Sequence, residues 1–469
     1  MSNVFEKDRA VRKHTSLPAV AASSLAGTAV EWYDFFLYGT AAALVFNKLF
    51  FPTADPFVGT MLALGTFAAG FIARPLGAIV LGHLGDKHGR KSTLVASLLL
   101  MGAATALIAF IPPYATIGVA APLILLLLRL VQGFALGGEW GGAVLLVSEY
   151  SDDSTKRAFW ASWPNVGPPL GNLMAAGVLA LLSATMPQAE FLSWGWRIAF
   201  GLSALLVIIG LVLRLYVQET PLFQASQAKA DVEHATRTKL PLAELFRGNW
   251  REILIATGSR MGENAGFYIY SLFLITYVTD ILKIDRQTGL TAVMIGQGVA
   301  VVAIPLLAIF ADRIGRKPMM IAASAATVVW GFAFFALLDT RQPAAIILAA
   351  VGGLLIFAAY SSVIGAFFSE LFPTKVRYSG TSVAYNVASL IAGSLSPIIA
   401  LALYRGFGTG QAIAFYLVGM GLISILSVSF AKETKDIKLS DLDVASGQKA
   451  VQVSGQEPDS APAQKVAQS

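Results

Sequence analysis

The sequence predicts an all-α polytopic membrane protein with twelve transmembrane helices. Hydrophobic residues make up 56% of the 469-residue chain and charged residues only 13%, and the mean hydropathy is +0.66. Soluble domains are much less apolar than this. The apolar residues fall into blocks of roughly 20 to 30 residues, long enough to cross a hydrocarbon core of about 30 Å as a helix. Loops that are rich in Lys and Arg alternate along the chain with loops that contain few of them.

The twelve apolar blocks are numbered here as spans 1 to 12. Their predicted limits are 19–46, 58–82, 93–112, 119–147, 159–184, 195–217, 251–280, 288–311, 318–338, 344–369, 379–403 and 410–430. Lys and Arg concentrate in the N-terminal segment and in the loops after even-numbered spans. By the positive-inside rule, both termini are then expected in the cytoplasm. The net charge of +6 is therefore interpreted as a topology signal, and nucleic acid is not an expected partner.

The second half of the chain repeats loop motifs of the first half at corresponding positions between the spans. LGHLGDKHGRKST (81–93) follows span 2, and AIFADRIGRKPM (308–319) follows span 8. SEYSDDSTKRA (148–158) and SELFPTKVRYSG (369–380) correspond more loosely. The pairs that align at one constant offset are Asp86 with Asp312, Gly89 with Gly315, Arg90 with Arg316 and Lys91 with Lys317. Such a repeat predicts a duplicated transporter architecture.

This duplication divides the chain into two six-helix bundles. The predicted parts are a cytoplasmic N-terminal tail (1–18), an N-terminal bundle (19–217), a cytoplasmic linker (218–250), a C-terminal bundle (251–430) and a disordered cytoplasmic tail (431–469). The tail is rich in Gln, Ser and Ala and lacks a sustained apolar heptad, so no coiled coil is expected there.

The motifs resemble those of the major facilitator superfamily. VEWYDFFLYG, ARPLGAIVLGHLGDKHGRK, GGEWGGA, SWGWRIAF, ETPLF and LFPTKVRYSG are similar to the metabolite:H⁺ symporter family, which includes transporters of shikimate, α-ketoglutarate, citrate, aromatic acids and proline/betaine. The resemblance runs from about residue 17 to 434. It implies the major facilitator fold in a bacterial inner membrane, a monomer surrounded by lipid, and no cofactor.

Charged residues within the spans are costly in a bilayer and mark functional sites. Glu31 and Asp34 are three residues apart in span 1 and share a helix face, and Glu139 lies in span 4. Asp34 and Arg129 are expected at similar depth and are predicted to pair. A carboxyl whose arginine partner comes and goes can bind and release a proton, so Asp34 is the first candidate for proton coupling, followed by Glu31 and Glu139. The alternative is a static ion pair that fixes helix packing.

An anionic substrate requires cations in the cavity. Arg129 is the first candidate because a guanidinium binds a carboxylate in a bidentate fork, although proton coupling is an equally good role for it. Arg260, with Glu263 and Asn264 close by, is second. Three prolines are expected to interrupt span 5, which points to lining residues there and opposite in span 11. These further candidates are Trp163, Asn165, Tyr385 and Asn386.

The family resemblance implies that the loop after span 2 and its repeat latch the two bundles together at the cytoplasmic side. The alternative is a basic loop that only sets topology. The predicted cytoplasmic gate residues are Gly85, Asp86, Gly89, Arg90, Asp312, Arg316 and Arg74.

The function expected from these features is proton-coupled import of a small organic acid by alternating access. A symporter of a zwitterionic compatible solute and a non-transporting sensor on a transporter fold remain alternatives. The chain contains no cysteine and four histidines, so a metal centre is not expected. GHLGDKHGRKS lacks the Gly-Lys-Ser/Thr order of a nucleotide-binding loop. The sequence also contains no recognisable motif of a catalytic nucleophile with its base, so an enzyme is not expected.

Overall fold

The computed structural model describes residues 17–52, 55–88, 90–137, 139–151, 154–216 and 248–437, and within them the chain is helical throughout. A helix or a broken helix occupies each of the twelve predicted spans. The first six contain the helices Leu17–Ala41, Pro56–His88, Arg90–Ile108, Ala120–Leu136 with Glu139–Tyr150, Arg157–Thr185 and Trp196–Tyr216. The last six contain Trp250–Ser259 with Met261–Tyr268, Arg286–Ile314, Arg316–Asp339, Pro343–Leu371, Thr374–Ala388 with Ser396–Phe407, and Gln411–Ser429.

The spans differ in how apolar they are. In the part of the chain that is described, 9 helices are long and apolar enough to cross a membrane by length and composition alone, and span 3 contributes a shorter apolar helix, Val95–Ile108. Spans 1 and 7 fall outside that set, and both carry buried carboxylates and polar residues. The least apolar spans are therefore interior ones, because a helix that faces the protein core rather than lipid need not be uniformly apolar.

Spans 1, 7 and 11 depart from a regular α-helix. Span 1 continues into a π-helical turn at Ala42–Phe46, span 7 has two such turns at Ile269–Phe273 and Tyr277–Ile281, and span 11 has one at Ser389–Ser394. π-Helical turns are frequent at functional sites because they leave backbone groups without regular partners.

The expected interruption of span 5 is wrong. The helix Arg157–Thr185 runs through Pro164, Pro168 and Pro169 without a break. Proline removes one hydrogen bond and crowds the preceding turn, but membrane helices tolerate it where neighbouring groups satisfy the backbone.

The two halves of the chain meet chiefly where span 5 packs on spans 8 and 10 and where spans 2 and 4 approach span 11. Leu17, Arg157, Asp312 and the segment 431–437 lie at one end of the helices, which we call the terminal face. The turns near Thr60 and Asp280 lie at the other end, which we call the opposite face.

The segments outside the bundles are described only in part. The first residues of the predicted C-terminal tail, 431–437, lie against the terminal face, where Lys435 Nζ donates to the Arg313 carbonyl at 2.6 Å. The predicted N-terminal tail up to residue 16, the linker from 217 to 247 and the tail from 438 onward lie outside the described residues.

Candidate functional site

A small cavity lies between the two halves of the chain, near the middle of the helices. Spans 1 and 5 contribute from the first half, and spans 7, 10 and 11 contribute from the second. Its volume is about 20 Å³, which is room for about one water molecule, so a substrate can bind only after the helices around it move apart. The lining residues are Trp32, Asn165, Pro168, Arg260, Glu263, Asn264, Phe267, Tyr268, Phe357, Ser361, Ile364 and Tyr385.

Arg260 and Glu263 supply the charge of the cavity wall. Arg260 Nε lies 2.9 Å from Glu263 Oε2, one turn along span 7, and only 5% and 4% of the two side chains are exposed. The guanidinium is also anchored to span 11, since Nη1 donates to the Tyr385 carbonyl at 3.1 Å and to Ser389 Oγ at 2.7 Å. Its central carbon lies 3.5 Å from the centre of the Tyr385 ring. Arg260 is therefore held in place by groups other than Glu263.

A stack of aromatic and amide groups joins the two halves beside the cavity. Trp140 in span 4 stacks on Tyr385 in span 11 with ring centres 3.8 Å apart. Trp140 Nε1 donates to Asn165 Oδ1 at 3.0 Å, and Asn165 Nδ2 donates to the Ser361 carbonyl in span 10 at 3.0 Å. The predicted lining residues Asn165 and Tyr385 thus border the cavity and also connect the halves.

Arg129 does not line the cavity. Its side chain is fully buried within the first half, with the guanidinium carbon 4.2, 4.5 and 4.7 Å from the ring centres of Phe35, Tyr38 and Phe67. Within the described residues Arg129 forms no ion pair, and Nη1 donates instead to Gln132 Oε1 at 3.1 Å. The structure therefore favours Arg260 over Arg129 as a substrate ligand, because three aromatic rings enclose Arg129.

The expected direct pair between Asp34 and Arg129 is wrong in this conformation. Ser203 Oγ donates to Asp34 Oδ1, and the Thr105 hydroxyl faces the same carboxylate. Gln132 Nε2 donates to Thr105 Oγ1 at 2.7 Å, so Thr105 and Gln132 lie between Asp34 and Arg129. Thr105 Oγ1 donates to the Met101 carbonyl at 3.0 Å, so neutral polar groups separate the two charges inside the first half.

The other two candidate proton-binding carboxylates are also buried. Glu31 is 2% exposed and Glu139 is 3% exposed. Glu31 precedes Trp32, which faces the cavity, and Glu139 opens the second helix of span 4 next to Trp140. Both positions keep a carboxylate out of water and within one helical turn of a residue that borders the cavity or its aromatic stack.

Trp163 and Asn386 lie away from the cavity wall. Trp163 packs with Val20, Val147 and Trp160 at the terminal end of the first half. Asn386 Nδ2 donates to the Gly137 carbonyl at 3.0 Å, which joins span 11 to span 4. Asn386 therefore connects the two halves, whereas Trp163 is turned toward spans 1 and 4 and lies outside the cavity lining.

Arg74 lies behind the cavity rather than at the terminal face. It is 1% exposed, and its guanidinium carbon lies 4.4 and 4.3 Å from the ring centres of Phe35 and Phe71. Its Nε and Nη2 atoms have no hydrogen-bond partner among the described residues. The side chain is near Tyr268, Tyr385 and Arg260, so its surroundings are those of the cavity.

Asp312 joins the halves at the terminal face. Its two carboxylate oxygens accept hydrogen bonds from the backbone nitrogens of Ala158 and Phe159, both at 3.0 Å. These nitrogens belong to the first turn of span 5, where a helix presents free donors and a partial positive charge. Arg316 Nη1 lies 3.1 Å from Asp312 Oδ1. Gly315 between them has φ 107°, a backbone geometry that favours glycine.

A second ion pair crosses the same face. Arg157 Nη1 lies 2.8 Å from Glu370 Oε1, and Arg316 Nη2 lies 3.2 Å from the same oxygen. Arg157 Nη1 also donates to the Ile437 carbonyl at 2.9 Å, while Glu433 accepts from the backbone nitrogen of Arg316 at 2.9 Å. Span 5 of the first half is thus bound to spans 8 to 10 and to the segment 431–437.

Four predicted gate residues cannot be placed. Gly85 and Asp86 fall in the helix Pro56–His88 and Arg90 begins the next helix, but their side chains lie outside the part of the chain that is described. Gly89 lies outside the described residues altogether. Their role in a latch stays a prediction.

The halves also touch at the opposite face. Thr60 Oγ1 donates to Asp280 Oδ2 at 3.3 Å, and Arg286 Nε donates to Ser183 Oγ at 2.5 Å. The Arg405 guanidinium carbon lies 4.3 Å from the centre of the Phe57 ring. Because contacts close the molecule on both sides, the cavity is occluded in this conformation.

Several residues of the site were not predicted from the sequence. The aromatic wall is formed by Trp32, Phe267, Tyr268 and Phe357, and aromatic residues in apolar spans are too common to single out. Glu370 and Arg157 lie in the two loosely repeated segments, SELFPTKVRYSG and SEYSDDSTKRA. The opposite charges in these two segments were a usable signal for a contact between the halves, but Arg157 was considered only as part of the basic loops and Glu370 was not singled out. Among the described residues, no cluster of His, Asp or Glu could hold a metal ion.

Known proteins share this architecture and sequence. Residues 19–445 match the family model described as "Sugar (and other) transporter". An inner membrane metabolite transport protein of Escherichia coli K12, YhjE, is 41% identical over 89% of this chain and 94% of its own length. The shikimate transporter of the same strain is 38% identical over 88% and 94%. A proline/betaine transporter of Salmonella typhimurium is 36% identical over 89% and 83%.

Solved structures share the fold at much lower identity. The proton:xylose symporter XylE bound to 6-bromo-6-deoxy-D-glucose, from the major facilitator superfamily, has a TM-score of 0.73 to this chain. The match covers 92% of this chain and 99% of the XylE chain at 17% identity. At that identity the likeness supports the shared fold alone.

Proposed function

The chain belongs to the sugar (and other) transporter family of the major facilitator superfamily, and from that premise we propose that it is a proton-coupled symporter of a small organic acid. It is a multi-pass membrane transporter and not an enzyme. The proton coupling, the substrate class and the direction of transport are the proposal.

The observation that carries the substrate class is the buried Arg260 in the wall of the cavity between the halves. A guanidinium is charged at all physiological pH values and recognises carboxylates through paired hydrogen bonds. Arg260 is already oriented by Tyr385 and Ser389 of span 11, so little side-chain order needs to be gained when an anion binds. A relative that is 38% identical is named a shikimate transporter, and shikimate is a small carboxylate.

Buried carboxylates support the proton coupling. Asp34 is the first candidate, since it is 1% exposed and bound to Ser203 within the first half. Glu31 and Glu139 remain the second and third candidates. Changes in burial and in the distance to Arg129 during a conformational change alter the proton affinity of such a group, which couples proton flow to the opening of the two faces.

Alternating access follows from contacts at the two ends of the helices. Opening the terminal face requires Asp312 to leave the first turn of span 5 and Arg157 to leave Glu370. Opening the opposite face requires Asp280 to leave Thr60, Arg286 to leave Ser183 and Arg405 to leave Phe57, and each of these contacts has only one charged partner. Among the described residues, the terminal face is the one where an ion pair, Arg157 with Glu370, joins the halves.

The distribution of Lys and Arg supports an orientation in which the terminal face is cytoplasmic. Both termini then lie inside a bacterial inner membrane, and import delivers the substrate through the Asp312 latch. The transporter is expected to act as a monomer, because the cavity is built entirely within one chain.

The proposal is tested by uptake into proteoliposomes. Purified protein is assayed with a panel of organic acids and compatible solutes at two external pH values, with and without an imposed pH gradient. Accumulation of a carboxylate that requires the acidic outside is expected, and Asp34→Asn should abolish uphill accumulation while sparing exchange. Accumulation that ignores the pH gradient would contradict the proposed coupling.

A second candidate substrate class is a zwitterion. Arg260 and Glu263 present opposite charges 2.9 Å apart in the cavity, and a relative 36% identical is named a proline/betaine transporter. A compatible solute as the best substrate in the panel would favour this reading. A non-transporting sensor, the remaining alternative, predicts binding without uptake for every compound.

A further inference from the structure

We propose that Glu263 is the residue through which proton binding is linked to substrate binding, because the proton and the substrate carboxylate together replace the Glu263–Arg260 ion pair. The inference rests on the proposed function, and it assigns the proton that is coupled to substrate binding to Glu263 in place of Asp34, Glu31 or Glu139. It assigns the cavity to a ring-bearing monocarboxylate that binds together with one proton.

The geometry places these two charges where a substrate must meet them. Arg260 and Glu263 are the charged members of the described cavity lining. Asp34, in contrast, is bound to Ser203 within the first half and is not part of that lining. A carboxylate that enters the cavity therefore competes with Glu263 for Arg260, whereas Asp34 is reached only through the protein.

The two partners depend on the pair to different degrees. Arg260 keeps its bonds to the Tyr385 carbonyl and Ser389 Oγ when Glu263 is removed. Glu263 Oε2 is buried and lies 2.9 Å from Arg260 Nε, its one charged partner among the described residues. Glu263 can consequently leave the arginine without dismantling the site, provided that another anion takes its place.

The surroundings of Glu263 contain few other groups that titrate. Tyr360 on span 10 and Tyr385 on span 11 are the titratable side chains that face it. Span 9 contributes the hydroxyl of Ser324, and span 12 contributes Ser424, which accepts a hydrogen bond from Gly262 N at 2.8 Å. Arg74 approaches Arg260 from span 2. The charge around Glu263 is therefore set by its own carboxylate and by the arginines Arg260 and Arg74.

Charge conservation links the two binding events. When a proton from solution adds to Glu263, the O–H bond neutralises the carboxylate and leaves Arg260, whose side chain is only 5% exposed, without a counterion. An unpaired buried charge is strongly unfavourable, so a substrate carboxylate is drawn to Arg260. Substrate bound to Arg260 in turn favours the protonated form of Glu263, because linkage between two binding events is reciprocal.

This exchange selects the chemistry of the substrate. One monocarboxylate and one proton replace one glutamate charge, so the net charge of the cavity is unchanged. The rest of the wall, Trp32, Phe267, Tyr268 and Phe357 with the amides of Asn165 and Asn264, suits a ring that carries hydroxyl groups. A zwitterion would pair its cation with ionised Glu263, and its binding would take up no proton there.

The first test uses the wild-type protein in detergent with shikimate as the probe. Weakly buffered protein should take up about one proton per shikimate bound, as linkage requires. Glycine betaine serves as the comparison and should cause no uptake. Shikimate binding without proton uptake would overturn the inference.

The second test compares binding by Glu263→Gln with wild type between pH 5.5 and 8. Shikimate affinity of the wild type should fall as pH rises, within the range of about 5- to 150-fold that is usual for coupled sites. In Glu263→Gln, a neutral copy of the protonated state, affinity should stay at the acid-side value at every pH. The matched control is Glu252→Gln, which lies in the first turn of the same span and outside the cavity lining, and it should behave as wild type.

A second variant, which keeps a carboxyl group at position 263, tests the inference if Glu263→Gln does not fold. Glu263→Asp is one methylene shorter and should retain a pH-dependent affinity, while loss of its pH dependence would count against the inference. If shikimate binding stays pH-dependent in a folded Glu263→Gln protein, the inference fails alone and Asp34, Glu31 or Glu139 holds the proton. If no carboxylate binds or enters at any pH, the proposed function fails with it.

Discussion

Replacing Asp312 with asparagine is expected to open the terminal face. In the structure its carboxylate accepts two backbone hydrogen bonds of 3.0 Å from the first turn of span 5 in the other half. Asparagine has a single carbonyl oxygen and no charge, so one nitrogen loses its acceptor and the other loses a charged one. The Arg316 side chain keeps Glu370 as a partner at 3.2 Å, so the change acts mainly on the contact between the halves.

The size of the effect follows from these bonds. A hydrogen bond to a charged group contributes about 1.5–3 kcal/mol, and we take a net loss of about 2 kcal/mol for Asp312→Asn. Since 1.4 kcal/mol corresponds to a factor of ten, the ratio of open to closed molecules at this face should rise about 30-fold. A change of this size turns a minor population into a readily measured one.

Spin-label distances provide the assay. The natural chain contains no cysteine, so Lys156→Cys and Arg251→Cys give two unique sites, which are exposed on the first and second halves at the terminal face. In lipid nanodiscs without substrate, Asp312→Asn should add a population at longer distance.

The control for this experiment is Asp285→Asn. Asp285 is an exposed helix cap at the opposite face and accepts from Gln287 N, a role that asparagine also fills. Its distance distribution should match that of the parent protein. An unchanged distribution in Asp312→Asn, or an equal change in Asp285→Asn, would refute the assignment of Asp312 as the latch.

Two further predictions concern packing and the cavity wall. Gly77→Ala should lower the melting temperature strongly, because a Cβ there would lie 1.8 Å from the Phe134 carbonyl oxygen. Gly65→Ala is the control and should be nearly neutral, since a Cβ at that position meets nothing within 4 Å. Equal melting temperatures of the two variants would contradict the close approach at Gly77. Trp140→Phe removes the donor that lies 3.0 Å from Asn165 Oδ1. An unsatisfied buried acceptor costs about 1–3 kcal/mol, so shikimate affinity in a binding titration should fall about 5- to 150-fold. Unchanged affinity would exclude a role in positioning Asn165.

The twelve spans were predictable because each one is a long apolar block, and the repeat of GDKHGRK in ADRIGRK located the duplication. Hydropathy reports the length of a span but not the orientation of its side chains. Arg129 and Arg260 both looked like cavity cations from the sequence. The packing of Phe35, Tyr38 and Phe67 around Arg129 shows that Arg129 is enclosed within the first half and is not a cavity cation. Phe35 and Tyr38 lie on span 1 and Phe67 lies on span 2, so the sequence around Arg129 does not reveal these contacts.

Helix interruptions were harder to predict. The prolines of span 5 suggested a break, yet the helix is continuous through them. The π-helical turn at Ser389–Ser394 in span 11 and the turn at Ile269–Phe273 in span 7 contain no proline. Such turns depend on tertiary contacts that satisfy displaced backbone groups, which a local sequence pattern does not encode.

The partner of Asp34 was also not predictable from the sequence. Equal depth along spans 1 and 4 suggested a direct contact with Arg129, but Ser203 of span 6 and Thr105 of span 3 approach the carboxylate instead. Depth is fixed by residue count, whereas the rotation of each helix is fixed by its neighbours. Sequence position therefore indicated which charges are buried, and the structure identifies the partner of each.

Proton movement on substrate entry tests the central claim most directly. Proteoliposomes in a weakly buffered medium receive external shikimate, and the external pH is recorded without an imposed gradient. The account predicts that the medium becomes more alkaline as shikimate enters, and that Arg260→Gln abolishes both signals. Entry of shikimate with no change in external pH would contradict proton-coupled symport through this cavity.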